Sequence, residues 1–98
     1  MNEEIPDAVE QRPWTDADGP EPDVHIYPRE TAPGLHIRHD GRWLRAVVRA
    51  RQTHPTRGVS YDVDITFGSG SGSSRTYQWG QPGVRKGWEP GQGRLPED

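Results

Sequence analysis

From Leu35 onward, apolar and polar residues alternate with a period of two. In Leu35-His36-Ile37-Arg38-His39, the two aliphatic residues fall on one face of a strand. Asp40-Gly41 follows, a dipeptide favoured in two-residue type I′ hairpin turns. The next segment, Arg42 to Arg51, turns Leu44, Ala46, Val48 and Ala50 inward and Arg45, Val47, Arg49 and Arg51 outward. With Asp40 and Gly41 as the turn, His39 faces Arg42, Arg38 faces Trp43, Ile37 faces Leu44 and Leu35 faces Ala46. Each apolar residue of the first strand then meets an apolar residue of the second, so turn chemistry and register agree. Arg38 beside Trp43 makes a cross-strand cation–π pair, worth about 0.5–1 kcal/mol when exposed. A helix is the rival reading for this stretch, because Leu, Arg and Ala are good helix formers. The β-branched pair Val47-Val48 and the alternation favour a strand.

The clearest alternation is Val59-Ser60-Tyr61-Asp62-Val63-Asp64-Ile65-Thr66-Phe67, apolar at odd positions and polar at even ones. Gln52 to Gly58 reads as a turn-rich connection into it. Antiparallel pairing across that turn sets Asp62 or Asp64 opposite Arg49 or Arg45. Gly68 to Ser74 has linker composition and reads as a mobile hairpin tip. Arg75 to Trp79 resumes the alternation, Gly80 to Gly83 turns, and Val84 to Trp88 reads as a last short strand. Val24 to Tyr27 reads as a short edge strand that Pro28 ends.

The flanks differ in kind. Residues 1–23 are acidic and rich in Pro, too poor in apolar side chains to repay ordering entropy. They read as a disordered or loosely docked tail, in which Trp14 is either an anchor or an incidental exposed ring. Residues 89–98 read as a second disordered tail, leaving 24–88 as the one folded domain. Charge follows the same division. Residues 1–34 carry nine acids and two Arg, whereas residues 35–96 carry ten bases and four acids, although the whole chain sums to −3.

Composition narrows the class. Ninety-eight residues with 29% apolar content and 22 Gly plus Pro exclude a multidomain enzyme, a membrane span and a large helical bundle. The absence of Cys excludes a disulfide framework and a thiolate metal site. The acidic start lacks the apolar core of a signal peptide. A cytoplasmic protein is the expectation. Eleven Arg against one Lys suits a high-GC bacterial coding sequence, and Arg also serves forked recognition of anions.

Four to five short antiparallel strands with tight turns bury their apolar face best by curling into a small all-β barrel. Asp40-Gly41-Arg42-Trp43, Ala46-Val47-Val48, Tyr61-Asp62-Val63 and Pro82-Gly83-Val84-Arg85 resemble the Tudor-like branch of SH3-like barrels over roughly residues 33–86. The resemblance implies a binding role: a methylated Lys or Arg in an aromatic cage, or nucleic acid on the barrel rim. Trp43 matches one cage position. His36 falls near a second, Gly68 and Ser69 replace others, and Phe67 with Tyr77 would complete half a cage.

Catalysis finds no support in the pattern. His36 and His39 point to opposite faces of a strand, and His25 and His54 have no carboxylate at a telling spacing, so no metal or cofactor is expected. The serines cluster in the Gly/Ser loop, where a nucleophile lacks preorganisation. Binding remains, in two forms. One is a protein–protein adaptor with an aromatic groove from Trp43, Phe67, Tyr77, Trp79 and Trp88. In that form the acidic segment 13–22 offers self-docking, or exchange between two copies in a homodimer. The other is a nucleic-acid module whose basic face is Arg38, Arg45, Arg49 and Arg51, with Trp43 stacking a base and the acidic tail competing for it.

Overall fold

The structure is a computed structural model that describes residues 4–12, 14–66 and 72–87. Phe67, Trp88 and the 89–98 tail lie outside the described residues, as does the Gly68–Ser71 part of the expected loop. The fold is all-β. Six antiparallel strands form one sheet: β1 (Asp23–Ile26), β2 (Gly34–His39), β3 (Arg42–His54), β4 (Gly58–Thr66), β5 (Gly72–Gln78) and β6 (Val84–Lys86). The path runs β5-β4-β3-β2-β6, and β1 joins β3 beside β2.

The β2–β3 hairpin has the register its sequence predicts, with Leu35 opposite Ala46, Ile37 opposite Leu44 and Arg38 opposite Trp43. Asp40 and Gly41 both hold positive φ, at 50° and 73°, as a type I′ turn requires. Strand β3 runs on to His54, three residues beyond its expected end, because the turn into β4 needs only residues 55–57. Strand β5 starts at Gly72, so Gly72 to Ser74 belong to the ladder with β4 and not to the loop tip.

Between Val48 and Ala50 the β3–β4 register shifts by one residue. Such a bulge exchanges the faces of the residues beyond it. Before it, Ala46 and Val48 share the core face with Ile65 and Val63. After it, Ala50 lies opposite Asp62 on the outer face and Arg51 lies opposite Tyr61. The alternation-based facing of Ala50 and Arg51 is therefore exchanged relative to β4, although Ala50 remains buried.

The core consists of Leu35, Ile37, Ala46, Val48, Tyr61, Val63, Ile65, Tyr77 and Val84, all buried. Burying a Val, Leu or Ile side chain contributes about 1.5–3 kcal/mol, so these few residues supply most of the driving force of so small a fold. Trp79 packs half-buried against them, its ring edge-on to Tyr61 with centroids 5.8 Å apart.

Of the two expectations for the acidic tail, docking is what the described residues show. Ala8 N–H donates to the Arg38 carbonyl at 2.9 Å, and Gln11 N–H donates to the Thr76 carbonyl at 2.8 Å. Glu10 bridges Tyr77. The segment thus spans from the end of β2 to the outer edge of β5, the far end of the strand path. Farther along, Asp18 accepts two bonds from the Arg12 guanidinium and faces Arg57 at 3.5 Å. Trp14 is half-buried.

Candidate functional site

The outer face of β2, β3 and β6 gathers the basic and aromatic residues. Register sets them in rows. Arg38 stands opposite Trp43, and in the adjacent row Arg85, His36 and Arg45 lie side by side across three strands. The Arg38 guanidinium carbon sits 5.3 Å from the Trp43 ring centroid, and that of Arg85 sits at 4.4 Å. The first contact follows from the hairpin register. The second depends on β6 lying beside β2, a pairing that no local pattern announces.

The remaining charges distribute unevenly. Arg49 faces Asp64 at 3.6 Å, and both are substantially exposed. Glu10 lies 3.9 Å from Arg75, and Asp18 meets Arg57. The tail acids therefore sit along β5 and the β3–β4 turn. Asp7 instead accepts hydrogen bonds from main-chain N–H groups of the hairpin turn, which hold its carboxyl below the usual carboxylate range. Among the described residues, no ion pair engages Arg38, Arg42, Arg85 or Lys86. Arg38 also borders a recess lined by Glu4 and Asp7 of the tail.

Of the expected aromatic groove, the described residues Trp43, Tyr77 and Trp79 do not come together. Tyr77 is 2% exposed and belongs to the core, because it lies opposite Tyr61 on the inner side of the β4–β5 ladder. Trp79 turns toward Tyr61, while Trp43 stands on the outer face with the arginines. Phe67 and Trp88 lie outside the described residues.

The expected basic row also divides. Arg38 and Arg45 stay together, Arg49 occupies the bulge beside Asp64, and the bulge carries Arg51 to the other face. Asp62, expected to face an arginine, instead accepts from the Gln52 side-chain amide at 2.9 and 3.0 Å and from the Thr76 hydroxyl. Arg85, which the sequence assigns with Arg75 and Lys86 to a basic rim on a second edge, joins this face instead, because β6 lies beside β2.

Comparison with known proteins gives no match: no family model, curated protein or solved structure is significantly similar to this chain. Function is argued from the face itself.

A guanidinium within about 6 Å of an indole centroid is attracted by the ring and keeps N–H groups for other acceptors. Arg38 and Arg85 are thereby held in place on one ring. Such a pair suits a ligand carrying carboxylates or phosphates, which accept forked hydrogen bonds. It does not suit a methylated cation, which would meet two like charges at the ring.

Proposed function

We propose that this chain is a small non-catalytic binding module of SH3-like barrel form that captures an acidic segment of a protein partner on its Arg38–Trp43–Arg85 face. The observation that carries this reading is the contact of both guanidiniums with one ring, 5.3 and 4.4 Å from its centroid. Stacking a nucleobase needs a free ring face, and Trp43 already carries two cations. Carboxylates need guanidinium N–H groups not taken by other acids, and among the described residues no ion pair engages Arg38 or Arg85. The barrel form is supported by the strongly bulged β3 and by the connection from β5 to β6. Trp79 N–H at its start bonds the Val59 carbonyl on β4, and Gly83 at its end accepts from Arg38 on β2.

Fluorescence anisotropy with a labelled Asp/Glu-rich peptide and a labelled single-stranded oligonucleotide tests the proposal. The peptide is expected to bind, and the doubly substituted Arg38→Ala/Arg85→Ala protein to lose at least about tenfold in affinity. Tighter binding of the oligonucleotide, weakening steeply with added salt, would replace this reading with a nucleic-acid one.

A further inference from the structure

Strand β1 presents an unusual surface for so polar a chain. Val24 and Ile26 are 55% and 72% exposed, and they lie on one face of the strand. Their main-chain groups are also turned outward. Tyr27 N–H donates to the Arg49 carbonyl at 2.9 Å, which fixes the phase of the antiparallel ladder. In that phase Asp23 and His25 exchange bonds with β3, and the N–H and C=O groups of Val24 and Ile26 point to the opposite edge. Among the described residues no strand lies on that edge, and neither residue makes a main-chain hydrogen bond there.

We propose that this edge pairs with the β1 of a second copy, forming an isologous dimer through a two-stranded antiparallel junction. The proposal is independent of the acidic-ligand reading. The sequence is self-complementary about His25. With the two-fold axis at that residue, Val24 of each copy lies opposite Ile26 of the other. Each such pair exchanges two N–H···O=C bonds, and the four aliphatic side chains meet on one face. The same register brings Pro22 opposite Pro28, so the ladder ends where neither chain has an N–H to offer. One residue farther out, Glu21 of each copy approaches Arg29 of the other, and both are exposed. Charge and shape therefore complement each other only when the partner is the same sequence running antiparallel. The other edge of β1 is bonded to β3, so pairing stops at two copies and does not propagate.

A four-residue junction covers far less than the roughly 1,200–2,000 Å² of a stable complex, so the dimer is weak and concentration-dependent. Sedimentation equilibrium of the full chain up to about 1 mM tests it. The expected result is a reversible monomer–dimer equilibrium. Ile26→Lys, at an exposed position, is expected to weaken it by at least about tenfold without changing the circular dichroism spectrum. Arg29→Glu is expected to weaken it, and adding Glu21→Arg to restore it. A monomer throughout, or a dimer indifferent to either single substitution, overturns the proposal. Slow exchange of the Val24 and Ile26 amides in dilute monomer would assign the edge to another segment of the same chain, and would overturn it as well.

Discussion

The Asp7 carboxylate accepts hydrogen bonds from the main-chain N–H groups of Asp40 at 2.9 Å and Gly41 at 3.2 Å. An acidic residue of the N-terminal segment thereby caps the hairpin turn at the C-terminal end of β2, beside the Ala8–Arg38 bond. These bonds to Gly41 and Asp40 lower its pKa. A carboxyl whose folded pKa is depressed contributes stability above its unfolded pKa and loses it as pH falls through the folded value. Acidification below the ordinary carboxylate value, ~4, is thus expected to release residues 4–8. Asp7→Asn should remove that acid limb from a plot of amide exchange at Ala8 against pH. An unchanged limb would show that the turn does not depend on this carboxylate.

Gly83 sets a second, steric condition on the same segment. A Cβ at this position would lie 2.6 Å from the Ala8 nitrogen, 2.8 Å from its Cα and 2.9 Å from the Pro6 carbonyl oxygen. All three are main-chain atoms, so a side-chain rotation cannot relieve the clash. Gly83→Ala is expected to displace residues 6–8 while leaving the β2–β3 hairpin intact. Limited proteolysis should then cut within residues 4–12 at least about tenfold faster, because the open form dominates. Equal cleavage rates would contradict this packing.

Trp79 illustrates a change of role. As a groove residue it would be replaceable without harm to the fold. Packed edge-on against Tyr61, it supports the core. Full burial of a Trp is worth about 3–5 kcal/mol on truncation, and a half-buried one correspondingly less. Trp79→Ala is expected to cost about 2 kcal/mol in urea unfolding. A cost below about 0.5 kcal/mol, the range of ordinary surface changes, would return Trp79 to the surface.

Arg38→Ala and Arg85→Ala should behave in the opposite way. Each removes one cation–π contact to the half-buried Trp43 ring, expected to cost about 1 kcal/mol of stability. A double-substitution cycle with Trp43→Leu, which removes the aromatic face, separates the ring contact from the loss of charge. A cost above about 2 kcal/mol for either arginine would make it a structural residue and remove it from the proposed interface.

The hairpin was legible because its signals are local. Asp40-Gly41 dictates the turn, and the turn dictates that Arg38 meets Trp43. The bulge at Arg49 left no such signal, since Ala46, Val48 and Ala50 keep the apolar period of two straight through it. That single extra residue moved Arg51 away from the basic face. Arg85 was read onto a separate basic rim for a related reason, because β6 pairs with a strand almost fifty residues earlier in the chain. The docking of the tail was only half visible. Asp7, Ala8 and Gln11 all bond main-chain groups, which have no residue identity to read. The inner position of Tyr77 followed from its partner Tyr61, not from its own neighbours.

The bridge between Glu10 and Tyr77 also has a consequence in time. Residues 7–11 are synthesised well before their partners on β5. At ~5–20 residues per second, several seconds of synthesis separate the two. Once β3 is made, β2 and β3 can pair while the segment that will span from β2 to β5 has only half of its docking site. Contacts of such sequence separation form late in folding. The acidic segment therefore locks a sheet that is already built, and a chain arrested before β5 would hold its hairpin but leave its first dozen residues unbound.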